Sequence, residues 1–223
     1  MSNKRVVVIT GANRGIGLEL ARLFAAKGCE VIGVCRETSA ELAEAAAKVV
    51  DGVDVTTDTG VKRLMAGLQG VKIDVLINNA GLLQDEVLGS IDFDSLRTQM
   101  EINAYAPLRI AEALFPQMPS GGKIANITSR MGSIADNDSG GRYGYRASKA
   151  ALNAFAKSLA TDLKPHGIAV AQLHPGYVKT RMVNFGGLIT PEESAKGLVA
   201  LIEGLNLENS GTFWHSNGEQ LPW

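Results

Sequence analysis

Short apolar runs recur along the chain, separated by longer segments of helical period. The runs are "RVVVIT" (5–10), "EVIGVC" (30–35), "VDV" (53–55), "DVLIN" (74–78), "KIANIT" (123–128), "IAVAQLH" (168–174) and a final "TFWH" (212–215). Most are nearly continuous Val, Ile and Leu rather than alternating, the mark of strands buried on both faces of a parallel sheet. Between them, segments 15–27, 39–49, 57–68, 92–115, 143–163 and 191–204 have the apolar spacing of amphipathic helices. This alternation predicts an α/β fold: a Rossmann-type doubly wound parallel sheet of about seven strands, with helices on both faces. No repeat, low-complexity linker or shift in composition divides the chain, so residues 1–223 are expected to form one domain.

Composition narrows the partners. Apolar residues make up 45% of the chain, charged residues 20%, and the formal net charge is -1. Such a balance offers no basic field for nucleic acid or an anionic membrane. No apolar run approaches the roughly 20 residues of a membrane span, and no signal peptide is read, so a cytoplasmic location is expected. The two cysteines, Cys29 and Cys35, bracket the second strand. At about 3.3 Å per residue they stand roughly 20 Å apart, beyond the reach of about 7 Å that a disulfide allows. Reduced thiols follow. The three histidines, at 166, 174 and 215, lack ligand spacing, so no metal site is expected.

Candidate chemistry begins at the first turn. The first strand runs into "TGANRGIGLELARLF", with Gly11, Gly15 and Gly17 ahead of an amphipathic helix. A strand, a glycine turn and a helix N-terminus in that order suit a dinucleotide, whose pyrophosphate needs close backbone and free N–H groups. At the end of the second strand, "VCRE" places Arg36 before Glu37, and Arg14 lies within the turn. An arginine at this strand end suits a 2′-phosphate, whereas an acid suits a free ribose. NADP(H) is therefore expected in preference to NAD(H), with Glu37 as the residue that argues the other way.

The segment "GGRYGYRASKAALNAF" (140–155) carries two tyrosines just ahead of a lysine. Residues four apart share a helix face, which pairs Tyr145 with Lys149. Tyr143 has Ala147 at that distance and gains no charge. A tyrosine pKa near 10 falls by roughly 1 to 3 units beside a cation, which makes Tyr145 the candidate acid and base.

With the turn "TGANRGIG", "NNAG" at 78–81, Asn103, Ser129 after a strand, Tyr145-x-x-x-Lys149 and "HPGYVKT" in this order, the chain resembles the short-chain dehydrogenase/reductase family. The resemblance spans residues 5–204, and the ending "SGTFWHSNGEQLPW" is similar to the C-factor-like branch near small carbonyl reductases. It implies a catalytic set of Asn103, Ser129, Tyr145 and Lys149. In that set Ser129 holds the substrate oxygen, and Lys149 lowers the tyrosine pKa and holds the nicotinamide ribose. Asn103 places a water in a proton relay. For the cofactor it implies the turn with Gly11, Asn13, Arg14, Gly15, Ile16 and Gly17 at the phosphates, and Arg36 at the 2′-phosphate. Asp54 and Val55 would flank the adenine, and Asn79, Ala80 and Gly81 the ribose. Pro175, Gly176, Val178 and Thr180 would meet the nicotinamide end. It also implies a homodimer or homotetramer.

On the substrate side, only "RMVNFGGLIT" separates Thr180 from Pro191. So short a segment predicts an open cleft. Leu82, Leu83, Met131, Ile134, Tyr177, Met182 and Phe185 are its candidate lining, with Tyr143 as a wall residue. They suit a small apolar or aromatic aldehyde or ketone, or the corresponding alcohol. Two readings stand: an NADPH-dependent carbonyl reductase, and an NADP(H)-sensing signalling protein of C-factor type. A methyltransferase with a similar sheet would need an acid after the second strand, where only Glu37 qualifies.

Overall fold

The computed structural model describes residues 4–223; the first three positions of the expected domain lie outside the described residues. Among the described residues, seven strands form one sheet: β1 (Val6–Thr10), β2 (Glu30–Val34), β3 (Lys48–Val50), β4 (Val75–Asn78), β5 (Lys123–Ile127), β6 (Ala169–His174) and β7 (Thr212–His215). All neighbouring pairs run parallel, in the order β3-β2-β1-β4-β5-β6-β7. The period of two along each strand divides the core between the two faces. Val7, Ile9, Val75 and Ile77 pack on one side, and Val8, Leu76, Ile124 and Val170 on the other. Helices α1 (Gly15–Ala26), α2 (Ala40–Ala45) and α7 (Pro191–Gly204) contribute to the first layer. Helices α3 (Asp58–Gly67), α5 (Ala106–Leu114) and α6 (Tyr143–Leu163) contribute to the second. Helix α4 (Phe93–Met100) lies against α6. The doubly wound reading of the sequence therefore holds.

Two elements differ from the sequence expectation. The third strand lies at Lys48–Val50, not at 53–55, and the helix expected over 39–49 ends at Ala45. Ala46 is extended (φ -96, ψ 142), and Ala47 N–H donates to the Val31 carbonyl, so the alanine run leaves the helix to pair with β2. Helix propensity yields there to the unpaired edge of β2. Gly52 (φ +65) then turns the chain, and Val53 N–H bonds to Cys35 O beyond the strand. The second difference is in the helix expected over 92–115, which is interrupted by a π-helical turn at Glu101–Tyr105. Pro107 has no N–H for the carbonyl four residues earlier, that of Asn103. Such π turns recur at functional sites.

Cys29 is half-buried and Cys35 buried, both as free thiols flanking β2. Side-chain caps close the starts of α4 and α7. Asp92 caps α4 through Asp94 and Ser95 N–H, and Thr190 with Glu193 forms a capping box on α7. Among the described residues, no helix is long and apolar enough to cross a membrane.

Candidate active site

Strand order reverses between β1 and β4, and a crevice outside the carboxyl ends of the strands at such a point is where ligands bind in open α/β sheets. Gly11 and Gly15 turn the chain there with φ of +65 and +55. Gly17 is required for space: a Cβ would stand 2.3 Å from the Gly11 carbonyl oxygen and 2.5 Å from Asn79 Nδ2. Helix α1 starts after Arg14 with no side-chain cap and no acid in its first turn, so its N–H groups are left for an anion. Ile16 is half-buried in that first turn. Asn13 Nδ2 donates to Glu37 O (2.9 Å), and Ser39 Oγ donates to Asn13 O (3.0 Å). These bonds tie the turn to the end of β2, where Arg36, like Arg14, is exposed. Asp54 and Val55 are half-buried just past Val53, which bonds to the end of β2. The Asp54 carboxyl is held below the usual carboxylate range by its bonds from Thr56, with a smaller pull from Arg36.

Across the turn, the Thr10 hydroxyl accepts from Asn79 N–H (3.0 Å) and Ala80 N–H (3.1 Å), and Asn79 Nδ2 donates to Thr10 O and Gly11 O. Gly81 follows, and a Cβ there would lie 3.2 Å from Asn103 Oδ1. Beyond β6, the Pro175 carbonyl accepts from Ser194 and Ser216, Gly176 has φ +87, and Val178 is buried. Thr180 faces back to the glycine turn, its Cγ2 lying 3.5 Å from where a Gly15 Cβ would be. A close-packed backbone, left-handed glycines and an uncapped helix start with exposed arginines nearby fit a dinucleotide phosphate.

Beside this cradle lie the four polar residues singled out in the sequence. Tyr145 is 7% exposed, whereas Tyr143 is 37% exposed. The Lys149 ammonium stands 5.8 Å from the centre of the Tyr145 ring and donates to the Ile127 carbonyl (2.9 Å). Ser129, at the end of β5, interacts with the Tyr145 phenol through its side chain and accepts from Met131 N–H. Asn103, in the π turn, accepts from Leu82 N–H (2.8 Å) and donates to Leu82 O (2.7 Å) and Ser148 Oγ (3.0 Å). Both ends of its amide are engaged, which locks the segment after "NNAG" to α6.

The electrostatics differ from the sequence expectation. Burial pushes the Tyr145 phenol above the ordinary tyrosine value, opposed by the Ser129 hydrogen bond and by the charge of Arg142. Burial also lowers Lys149 to about 7. Arg142, one residue before the helix, adds only a smaller lowering pull on the phenol. Its nearness in sequence was the available signal, but the i, i+4 rule selects Lys149 alone.

Of the residues expected to line the cleft, Leu82, Leu83 and Met131 are half-buried, and Ile134, Tyr177, Met182 and Phe185 are exposed. Residues 177–189 form a folded loop, with Leu188 N–H bonded to Tyr177 O and Lys179 N–H to Ile189 O. His174 and His215, distant in sequence, pair across β6 and β7 with ring centres 4.8 Å apart. Burial lowers His174 to about 3, so it is a neutral packing residue. No cluster of three potential metal ligands occurs among the described residues.

Comparison with known proteins agrees with this geometry. Residues 5–186 match the family model described as short chain dehydrogenase. The chain belongs to the short-chain dehydrogenase/reductase family and is an oxidoreductase of that family. It is 43% identical over 223 residues to the 1-hydroxy-2-glutathionyl-2-methyl-3-butene dehydrogenase of Rhodococcus sp. (strain AD45), covering 97% of this chain and 99% of the relative. It is 43% identical over 154 residues to the C-signal protein of Myxococcus xanthus, covering 68% and 93%. A carbonyl reductase from Pseudomonas aeruginosa PAO1, solved in complex with NADP, superposes with a TM-score of 0.87 at 35% identity, covering 99% of this chain and all (100%) of that one.

Proposed function

We propose that this chain is one NADP(H)-binding domain that carries both cofactor and catalytic sites. It moves a hydride between nicotinamide and a small apolar or aromatic aldehyde or ketone. The observation that carries the reading is Tyr145, buried between Ser129 and Lys149 beside the glycine cradle. Bound in that cradle, NADPH supplies the hydride that reaches the carbonyl carbon. Tyr145 donates its proton to the carbonyl oxygen in reduction and accepts it back in oxidation. Ser129 hydrogen-bonds the same oxygen and steadies the charge that develops there. Lys149 holds the nicotinamide ribose and, when protonated, favours the phenolate. Asn103 fixes the backbone at Leu82 and connects the relay to α6.

Arg36 and Arg14 favour NADP(H) over NAD(H), and the NADP-bound reductase supports this choice. A homodimer or homotetramer in the cytoplasm is the accompanying expectation. The name of the Rhodococcus relative favours a second direction, oxidation of an alcohol on a larger glutathionyl substrate. The C-signal likeness favours a sensing role with little turnover. One assay separates the three: aldehydes, ketones and quinones with NADPH, and alcohols including a glutathionyl alcohol with NADP+. Reduction of aromatic aldehydes supports the proposal, and turnover of the glutathionyl alcohol alone replaces it with the second direction. Tight NADPH binding without turnover across the panel leaves the sensor. A Tyr145→Phe variant is expected to lose about 1000-fold in kcat while still binding NADPH; full activity in that variant overturns the mechanism.

A further inference from the structure

Helix α6 carries Tyr145 in its first turn, yet lacks a cap of its own. Its N-cap residue, Arg142, is left-handed (φ 49, ψ 44) and makes no side-chain capping bond. A non-glycine residue held there stores strain that its surroundings must offset. The surroundings are Asp85 and Glu86, from the loop after β4. The Asp85 carboxylate takes the Arg142 guanidinium, and the Glu86 carbonyl accepts Arg142 N–H (3.1 Å). The Glu86 carboxylate is buried and accepts from Gly144 N–H (3.0 Å), Ser95 Oγ (2.8 Å) and Gln99 Nε2. These three partners of the carboxylate are neutral donors, one of them the N–H of Gly144 in the first turn of α6.

The same contact accounts for the glycine between the two tyrosines. A Cβ on Gly144 would stand 2.6 Å from Gln99 Nε2 and 2.9 Å from Glu86 Oε1. Ser95 and Gln99 come from α4, and Asn103 follows one turn later with its bond to Ser148 of α6. Helix α6 is thus held at two levels, at Gly144 and at Ser148, on either side of Tyr145.

We propose that Glu86 is a positioning residue for the reaction: its buried carboxylate replaces the missing cap of α6 and sets the direction in which Tyr145 presents its phenol to Ser129. The inference rests on Tyr145 as proton donor. A displacement of about 1 Å in a reacting group lowers turnover by roughly 100-fold. Glu86→Ala is therefore expected to lower kcat about 100-fold, with the NADPH dissociation constant within about twofold of the parent. Its solvent isotope effect should rise as proton transfer becomes limiting. Glu86→Gln, which retains an acceptor for Gly144 N–H, should recover most of the loss. Gly144→Ala attacks the same contact from the other side, so the Glu86→Ala/Gly144→Ala double variant should be no slower than the worse single one.

Parent-like kcat in Glu86→Ala, a matching loss of NADPH affinity, or additive losses in the double variant would each overturn the inference. If Glu86→Ala does not fold, Glu86→Gln decides: a normal isotope effect with a large loss of kcat rules the positioning role out. Tyr145→Phe run in parallel separates the two levels. An active Tyr145→Phe refutes the proton-donor reading, whereas an inactive one beside an active Glu86→Ala refutes only the positioning role.

Discussion

The two walls of the crevice are built in opposite ways. On the cofactor side, glycine backbone is packed tightly: the Asn79 amide bonds to Thr10 O and Gly11 O, and neither Gly11 nor Gly17 has space for an added methyl group. On the side proposed for the substrate, large apolar side chains are exposed. Phe185 is 64% exposed, Leu188 78% and Ile134 81%. Asn184 and Phe185 also have left-handed backbone (φ 50 and 61) without being glycine. A ligand common to many relatives can be recognised by backbone, which side-chain substitution hardly alters. A variable substrate is recognised by side chains on a loop, which substitution alters freely. On the proposed reading, one wall keeps the cofactor constant and the other sets selectivity.

Substitutions should separate the walls, beginning with the largest effect. Gly17→Ala forces its methyl group into Gly11 O and Asn79. Overpacking of this kind destabilises by about 1–3 kcal/mol, and NADPH titration should show binding lost along with it. Parent-like NADPH affinity would mean that the cradle is more pliable than its contacts indicate. Arg36→Leu comes next. A charge-assisted bond contributes about 1.5–3 kcal/mol, so NADPH affinity should fall about 10- to 100-fold while NADH affinity holds. An equal change for both cofactors would remove Arg36 from the 2′-phosphate site.

Lys149 lies between the walls and tests the electrostatics. Its pKa is about 7 in the folded protein without ligand, against an ordinary 10.5. Between those values the unfolded chain binds a proton that the folded one does not, so this residue makes stability rise with pH from about 7 to 10.5. Thermal melts across that range should show a slope that Lys149→Met removes. The smallest effect belongs to the open wall. Phe185→Ala should raise KM for aromatic aldehydes about 3- to 10-fold, the equivalent of about 1 kcal/mol of apolar contact, leaving NADPH binding unchanged. A change in NADPH affinity would show that the two walls are coupled.

Most of the sheet was legible because its strands are continuous apolar runs bounded by helical segments, and "TFWH" occupies β7 from Thr212 to His215. The third strand was not. "AAAKVV" has strong helical preference, and only the exposed edge of β2 draws Lys48–Val50 into the sheet. Likewise "INAYAP" carries a regular helical pattern, and its π turn appears only in the fold, where Asn103 is fixed between Leu82 and Ser148. Of the residues around Tyr145, Ser129 and Lys149 carry sequence signals, in strand ending and in spacing. Glu86 carries none, since "LLQDEVLGS" has neither strand nor helix period to mark an acid for burial.

The sequence by itself determined what depends on neighbours a few positions apart: the alternation of strand and helix, the glycine turn, and the pairing of Tyr145 with Lys149. Those relations follow from backbone geometry, which repeats every two residues in a strand and every 3.6 in a helix. The tertiary structure decided what depends on register between distant segments. It placed His174 against His215, buried the Tyr145 phenol and set Glu86 beneath Gly144. The physical reason is that burial and charge act through space. They shift the ionisation of Tyr145 and Lys149 only after the sheet and α6 have closed around them.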